Sequence, residues 1–225
     1  MNRATCIIIL GFIVSCLGLG CRQKQPAQTS SAKVEGLPYY TAPDFTPQWI
    51  PGRSKQLDTI HTIASFSFTD QNGNTITNNT VADKIYVADF FFTACPGICP
   101  KLTKSLKMVQ DAFVNDDDII LLSHSVTPDK DVPAVLKKYA VNYEVNDKRW
   151  HLLTGNKDSI YTIARKSYFA DEDLGMQKNS SDFLHTENIL LIDRHRHIRG
   201  VYKGTSPAEM NNLIADIKIL KEERD

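Results

Sequence analysis

Two nearly continuous apolar runs constrain this chain more than anything else in it. They are Lys84 to Phe92 (Lys-Ile-Tyr-Val-Ala-Asp-Phe-Phe-Phe) and Asp118 to Val126 (Asp-Ile-Ile-Leu-Leu-Ser-His-Ser-Val). Runs of this length without polar alternation mark strands that are buried on both faces. Between them, Cys99 to Val114 carries Leu102, Leu106, Val109 and Phe113 at helical spacing, and Val132 to Val141 after the second run reads as another helix. Strand, helix, strand, helix in this order predicts a parallel βαβ unit.

The remaining elements extend that unit. Trp150-His151-Leu152-Leu153 predicts a short strand ending at Thr154-Gly155, and Lys157 to Lys166 a helix. Glu187 to Asp193 and His197 to Tyr202 predict an antiparallel pair, and Pro207 to Lys221 a closing amphipathic helix with Met210, Leu213, Ile214, Ile217 and Leu220 as its apolar positions. Upstream, Ile63, Phe66 and Phe68 lead into Asp70-Gln71-Asn72-Gly73-Asn74, whose Asn-Gly favours a tight hairpin turn into Thr75-Ile76-Thr77. Leu37 to Tyr40 and Phe45 to Trp49 predict an extended arm, because proline prevents helix while the rings seek burial. The order fits an α/β, thioredoxin-like sandwich with an N-terminal β-hairpin extension and an inserted segment near residues 168 to 184, before a histidine loop.

The start of the chain gives its address. Met1-Asn2-Arg3 is a short basic opening, Ala4 to Gly20 is nearly all apolar, and Arg22-Gln23-Lys24-Gln25 turns abruptly polar. That is the layout of a bacterial export signal. Cys21 is the expected lipidation site because the polar chain starts directly after it; Cys16 is the alternative. Both readings tether the domain to a membrane on its extracytoplasmic side, as a lipoprotein of the periplasmic face or as an uncleaved anchor. The boundaries predicted are 1–21 for the lipoprotein signal and anchor, 22–50 for a polar linker and the extended arm, and 51–225 for the thioredoxin-like domain. Lys+Arg and Asp+Glu each total 26, so the chain has no net basic field to gather phosphates, which argues against nucleic acid as a partner.

Of the 5 cysteines, Cys6, Cys16 and Cys21 lie in the N-terminal apolar stretch, which leaves Cys95 and Cys99 in the body. A single pair is no disulfide scaffold, so it has chemistry of its own. Cys95-Pro96-Gly97-Ile98-Cys99-Pro100 sits where a buried strand hands over to a helix, and the backbone N–H groups and dipole there favour an anion. Both thiols are therefore expected below their ordinary pKa. The CxxxC spacing leaves a disulfide open and also suits pinching a soft ion. Two thiolates match Cu(I) or Zn(II), but structural zinc wants four ligands and the body has no further cysteine, so copper is the better match.

The segment Asp89-Phe90-Phe91-Phe92-Thr93-Ala94-Cys95-Pro96-Gly97-Ile98-Cys99-Pro100 resembles the signature of the Sco/SenC family, thioredoxin-fold copper-binding proteins that help assemble the dinuclear copper (CuA) centre of cytochrome c oxidase. The likeness runs from about Phe66 to the C-terminus. It includes Ser125-Val126-Thr127-Pro128-Asp129, Trp150 with Leu153-Thr154-Gly155, and His185 ahead of Ile189 to Asp193. The resemblance implies copper held by Cys95, Cys99 and His185. It also implies the copper-bearing oxidase subunit, other copper chaperones or thiol reductants as partners. The family often has an aspartate directly before its histidine where this chain has Leu184, so Asp182 or Glu187 is left to orient the imidazole. The usual glycine in the hairpin after Asp193 is also absent.

The other histidines read differently. His124, inside the second buried strand, is expected to be a hydrogen-bonded core residue. His61 and His151 show no partner spacing. His195 and His197 alternate along Asp193-Arg194-His195-Arg196-His197-Ile198-Arg199 and are expected at a solvated basic hairpin tip. Two classes of function remain. One is a metallochaperone that holds copper through two thiolates and an imidazole. The other is a thiol–disulfide oxidoreductase in which Cys95 and Cys99 are the catalytic pair.

Overall fold

The computed structural model describes residues 36–170 and 186–223. The arm forms β1 (Tyr39–Tyr40) and β2 (Pro47–Gln48), and the Asn-Gly segment joins β3 (Ser67–Thr69) to β4 (Thr75–Thr77). There follow β5 (Ile85–Phe91), α1 (Cys99–Ala112), β6 (Ile119–Ser125), α2 (Pro133–Asn142), β7 (Trp150–Leu153) and α3 (Lys157–Lys166). The chain closes with β8 (Asn188–Ile192), β9 (Ile198–Lys203) and α4 (Pro207–Glu222). Prolines open α1, α2 and α4, where a missing N–H costs nothing.

Seven strands form one sheet in the order β2-β1-β9-β8-β5-β6-β7. β5 and β6 run parallel over their whole length, from Ile85 opposite Ile119 to Phe91 opposite Ser125, and β7 continues the parallel half. β8 pairs antiparallel with both β5 and β9. Every residue of β5 and β6 is buried, as their apolar runs require. Alternation divides β5 between two cores. Tyr86, Ala88 and Phe90 pack with α3 and the β3–β4 hairpin, while Ile85, Val87 and Phe91 pack with α1, α2 and α4. The parallel strands deliver their carboxyl ends, and with them the Cys95 loop, to one edge of the sandwich, the usual place for a site in such sheets.

The turns depart in detail from the sequence reading. β3 and β4 are joined by five residues, Asp70 to Asn74, rather than by a two-residue turn. Gly73 takes φ +82°, and the Asp70 carboxylate accepts from the backbone N–H of Asn72 and Asn74 at 2.9 and 2.8 Å. The Gln71 amide then bonds Trp150 O and Leu152 N at 2.9 and 2.8 Å, so the hairpin covers the outer edge of β7. In the β8–β9 turn, Arg196 adopts φ +69° where a glycine is missing. Asp193 Oδ1 accepts from the N–H of His195 and His197 and holds that turn.

The arm is part of the sheet: Tyr40 pairs with Ile198 of β9. Tyr39 is buried as expected, but Trp49 is 54% exposed, so the arm is anchored by one of these rings and not by the other. Trp49 directly follows β2, the outermost strand of the sheet, whose Pro47 is exposed and Gln48 only half-buried. The predicted signal, Cys6, Cys16, Cys21 and most of the inserted segment lie outside the described residues. Among the described residues, no helix is long and apolar enough to cross a membrane.

Candidate thiol and metal site

β5 ends at Phe91 and α1 begins at Cys99, with seven residues between them, so Cys95 sits in the turn that faces the start of the helix. α1 has no side-chain cap: Ile98 occupies that position and offers no acceptor. Pro100 has no N–H and Lys101 N bonds Ile98 O at 2.8 Å, which leaves the Cys99 N–H, with those of Gly97 and Ile98 before it, for a sulfur. Both cysteines are buried and unpaired. Burial alone would raise the Cys95 thiol, but the backbone N–H and thiol of Cys99, with the N–H groups of Gly97 and Ile98, outweigh it and hold Cys95 below its ordinary value. Cys99 moves the other way, up to about 12, because of burial, the hydrogen bond it gives to Cys95, and the nearby charges of Cys95 and Asp89. The expectation that both thiols ionise readily thus holds for Cys95 and fails for Cys99. Two thiolates side by side repel, so when the pair gives up one proton it leaves from Cys95, and Cys99 keeps the other.

Asp89 lies under this pair on β5. It is 1% exposed, burial raises its carboxyl to about 7 against the pull of the Ser123 hydroxyl, and its Oδ1 has no partner among the described residues. Tyr139 of α2 shares a 2.7 Å hydrogen bond with Thr103 Oγ1, which donates at 2.9 Å to the carbonyl of Cys99. A cleft beside Cys99 is lined by Phe91, Phe92, Ile98, Val126 and Thr186. Asp89 and Tyr139 are site residues that sequence reasoning missed. The one signal for Asp89 was a charge inside a nine-residue apolar run.

His185 lies outside the described residues. Its neighbour Thr186 lines the same cleft as Cys99, at the entrance to β8. Among the described residues no three or more His, Cys, Asp or Glu side chains form a metal-holding group. Glu187 is already engaged, accepting from Thr205 Oγ1 at 2.6 Å and pairing with Lys203 at 2.9 Å. His124 is the core histidine expected: fully buried among Phe66, Phe68, Phe90 and Tyr168, lowered to about 4 by burial, with Nδ1 3.4 Å from Asp89 O. His61 Nε2 meets Ser167 O at 2.8 Å, and His151 pairs with Asp70 at 3.2 Å. His195 is exposed at the hairpin tip as predicted. His197 is not: it is buried against Tyr39 and bonded to the Asp193 carboxylate at 3.2 Å, because the arm covers that side of the turn.

A thioredoxin-like sandwich with two buried, unpaired cysteines at its strand-to-helix turn defines a class of thiol-bearing domain, and within it the comparisons are specific. Residues 54–221 match the SCO1/SenC family model, so this chain belongs to the SCO1/SenC family. It is similar to a SCO1/SenC family lipoprotein from Bacillus anthracis str. Ames, with 28% identity, a TM-score of 0.64, and 72% of this chain and 96% of that one covered. It is also similar to BsSco, described as a member of the Sco family of cytochrome c oxidase assembly proteins with a disulfide switch, at 26% identity and TM-score 0.61 over 73% and 95%. ScoI of Bradyrhizobium japonicum, solved with copper bound, matches at 26% identity and TM-score 0.57 over 71% and 99%.

Proposed function

We propose that this protein is a membrane-tethered copper chaperone that holds copper through Cys95, Cys99 and His185 and delivers it to the CuA centre of cytochrome c oxidase. The observation that carries the reading is geometric: Cys95, a buried free thiol facing backbone N–H groups of Gly97, Ile98 and Cys99, stands beside a second free thiol at the first residue of α1. Two sulfurs at that spacing form a soft donor pair for a soft ion. The Cys99 proton leaves when the metal arrives, so loading releases protons. Thr186 on the cysteine cleft supports His185 as the third ligand. A three-ligand site leaves copper open to attack by a recipient's cysteine or histidine, which suits delivery. The copper-bound ScoI structure and the assembly role stated for the Sco family support cargo and recipient. The lipoprotein relative supports lipidation at Cys21, or Cys16, as an anchor over 1–21; on this reading 22–50 is linker and arm and 51–225 the extracytoplasmic domain.

A second reading follows from the asymmetry of the pair. Cys95 has the character of an attacking sulfur and Cys99 that of a resolving one. The Cys95 thiolate attacks a partner disulfide and expels one partner thiolate. Cys99 then loses its proton, attacks Cys95 Sγ and expels the other. Two electrons pass to the partner, and a Cys95–Cys99 disulfide remains.

One experiment separates the readings. Copper(I) is titrated into the purified, reduced full chain and its Cys95→Ser, Cys99→Ser and His185→Ala variants, with thiol counts taken alongside. The chaperone reading expects one copper bound by the parent, none by either serine variant, and weaker binding without loss of disulfide formation in His185→Ala. Unchanged affinity in His185→Ala would favour the reductase, and unchanged affinity in a serine variant would overturn the ligand set.

A further inference from the structure

The loop from Phe92 to Ile98 has to present Cys95 to the start of α1 in a fixed geometry, yet it is outside regular structure. Within the loop, Cys95 N donates to Phe92 O at 3.3 Å. A tie to the rest of the chain runs through Thr93. Its N–H reaches Asp131 Oδ2 at 3.2 Å and its hydroxyl reaches Asp131 Oδ1 at 2.5 Å. Asp131 also accepts at Oδ2 from Ser125 Oγ at 2.6 Å and Thr127 Oγ1 at 2.9 Å. The Ser125 hydroxyl in turn accepts from Thr127 N at 3.1 Å.

Asp131 is 1% exposed, and four neutral donors converge on its carboxylate, three at Oδ2 and one at Oδ1. Those donors come from three places: the loop entering Cys95, the last residue of β6, and the turn before α2. A buried carboxylate costs free energy unless its donors are complete, so the three segments are held in one arrangement or the site is left unsatisfied. The segment that matters for chemistry is Thr93, two residues before Cys95.

We propose that Asp131, acting through Thr93, is the positioning residue of the thiol site: it fixes the Cys95 loop against the end of β6 and so sets the geometry in which the two sulfurs meet. The proposal rests on the reading of Cys95 and Cys99 as the working pair and extends it to a residue that touches neither sulfur. It differs from a purely structural role in its expected readout. A structural residue changes thermal stability alone; a positioning residue changes how readily the two sulfurs close a disulfide or grip an ion.

The variants follow from the hydrogen bonds. Thr93→Val keeps the branched shape and removes the hydroxyl; Thr93→Ser keeps the hydroxyl. Asp131→Asn can keep both ties, the amide oxygen replacing Oδ2 and the amide NH2 donating to the Thr93 hydroxyl, whereas Asp131→Ala removes them. The full chain is equilibrated in dithiothreitol redox buffers to obtain the exchange constant of the Cys95–Cys99 disulfide, and copper(I) affinity is measured separately. Thr93→Val and Asp131→Ala are expected to move both quantities by roughly tenfold, the scale for removing an outer partner of a site. Thr93→Ser should stay within about twofold of the parent, since it retains the hydrogen bond. Ile163→Ala, in the core on the opposite face of the sheet, serves as the control for lost stability. Parent-like values in Thr93→Val, or an equal shift in Ile163→Ala, would overturn the proposal. If the parent binds no copper while Thr93→Val still shifts the exchange constant, the positioning role stands and the copper reading falls.

Discussion

Cys95 is the first of the two thiols to lose its proton, and that order sets which sulfur reacts first. Because Cys95 is held below its ordinary pKa and Cys99 is raised to about 12, iodoacetamide at neutral pH should label Cys95 well ahead of Cys99, by roughly tenfold or more. Peptide mass spectrometry at early times reads the ratio, and equal labelling would refute the assignment. Cys99→Ala removes one donor to Cys95 and should move its alkylation profile to higher pH. Much at this scale was legible because it is local: the motif, its place before a helix, and its poor fit to a four-ligand zinc site all lie within a few residues. Asp131 was not legible, since its partners Thr93 and Ser125 stand 38 and 6 residues away and only the fold unites them. His197 was misread for the same reason, because the ring that buries it comes from Tyr39.

Among the elements, periodicity located α1 and α4, and unbroken apolar runs located β5 and β6, because both signals are repeated over many residues. β1 and β2 carry two residues each, too few for any period, and their place in the sheet depends on β9. What holds the arm there is Arg199, which is 4% exposed. Its guanidinium donates to the carbonyls of Pro38 and Leu37 at 3.1 and 2.7 Å, pairs with Asp193 and Glu223, and lies 4.0 Å from the Tyr39 ring centre. Glu223 in turn accepts from Leu37 N at 2.7 Å, joining the end of α4 to the same latch. Arg199→Met should therefore cost roughly 3 kcal/mol, since it takes the cation from the buried Asp193 and the half-buried Glu223, and should free the arm. Amide exchange over residues 37–49 measures the second effect; protection equal to the parent's would show that strand pairing alone retains the arm.

For the molecule as a whole, the order of elements and the sandwich were readable from the chain, whereas the balance of buried charge was not, because it depends on which groups the two cores enclose. Asp89 and His124 sit on adjacent strands, on opposite faces, and their pH effects oppose each other. Asp89 has a folded pKa of about 7, above its unfolded value, so its contribution to stability is complete below about pH 4 and is lost as pH rises through 7. His124 has a folded value of about 4, below its unfolded value, so its contribution is complete above about pH 6.5 and is lost as pH falls through 4. Between those limits one slope cancels the other, and the metal-free, reduced protein should show little dependence on pH from these two groups. Asp89→Asn removes the falling slope and should leave stability rising by up to roughly 3 kcal/mol from pH 4 to 6.5. His124→Phe keeps an aromatic ring in the cage and should leave stability falling by a similar amount, roughly 3 to 4 kcal/mol, up to pH 7. Urea unfolding of the full chain at a series of pH values, taken as the difference between each variant and the parent, removes the contribution of every other titrating group. Slopes of the same sign in the two variants would rule out the opposition.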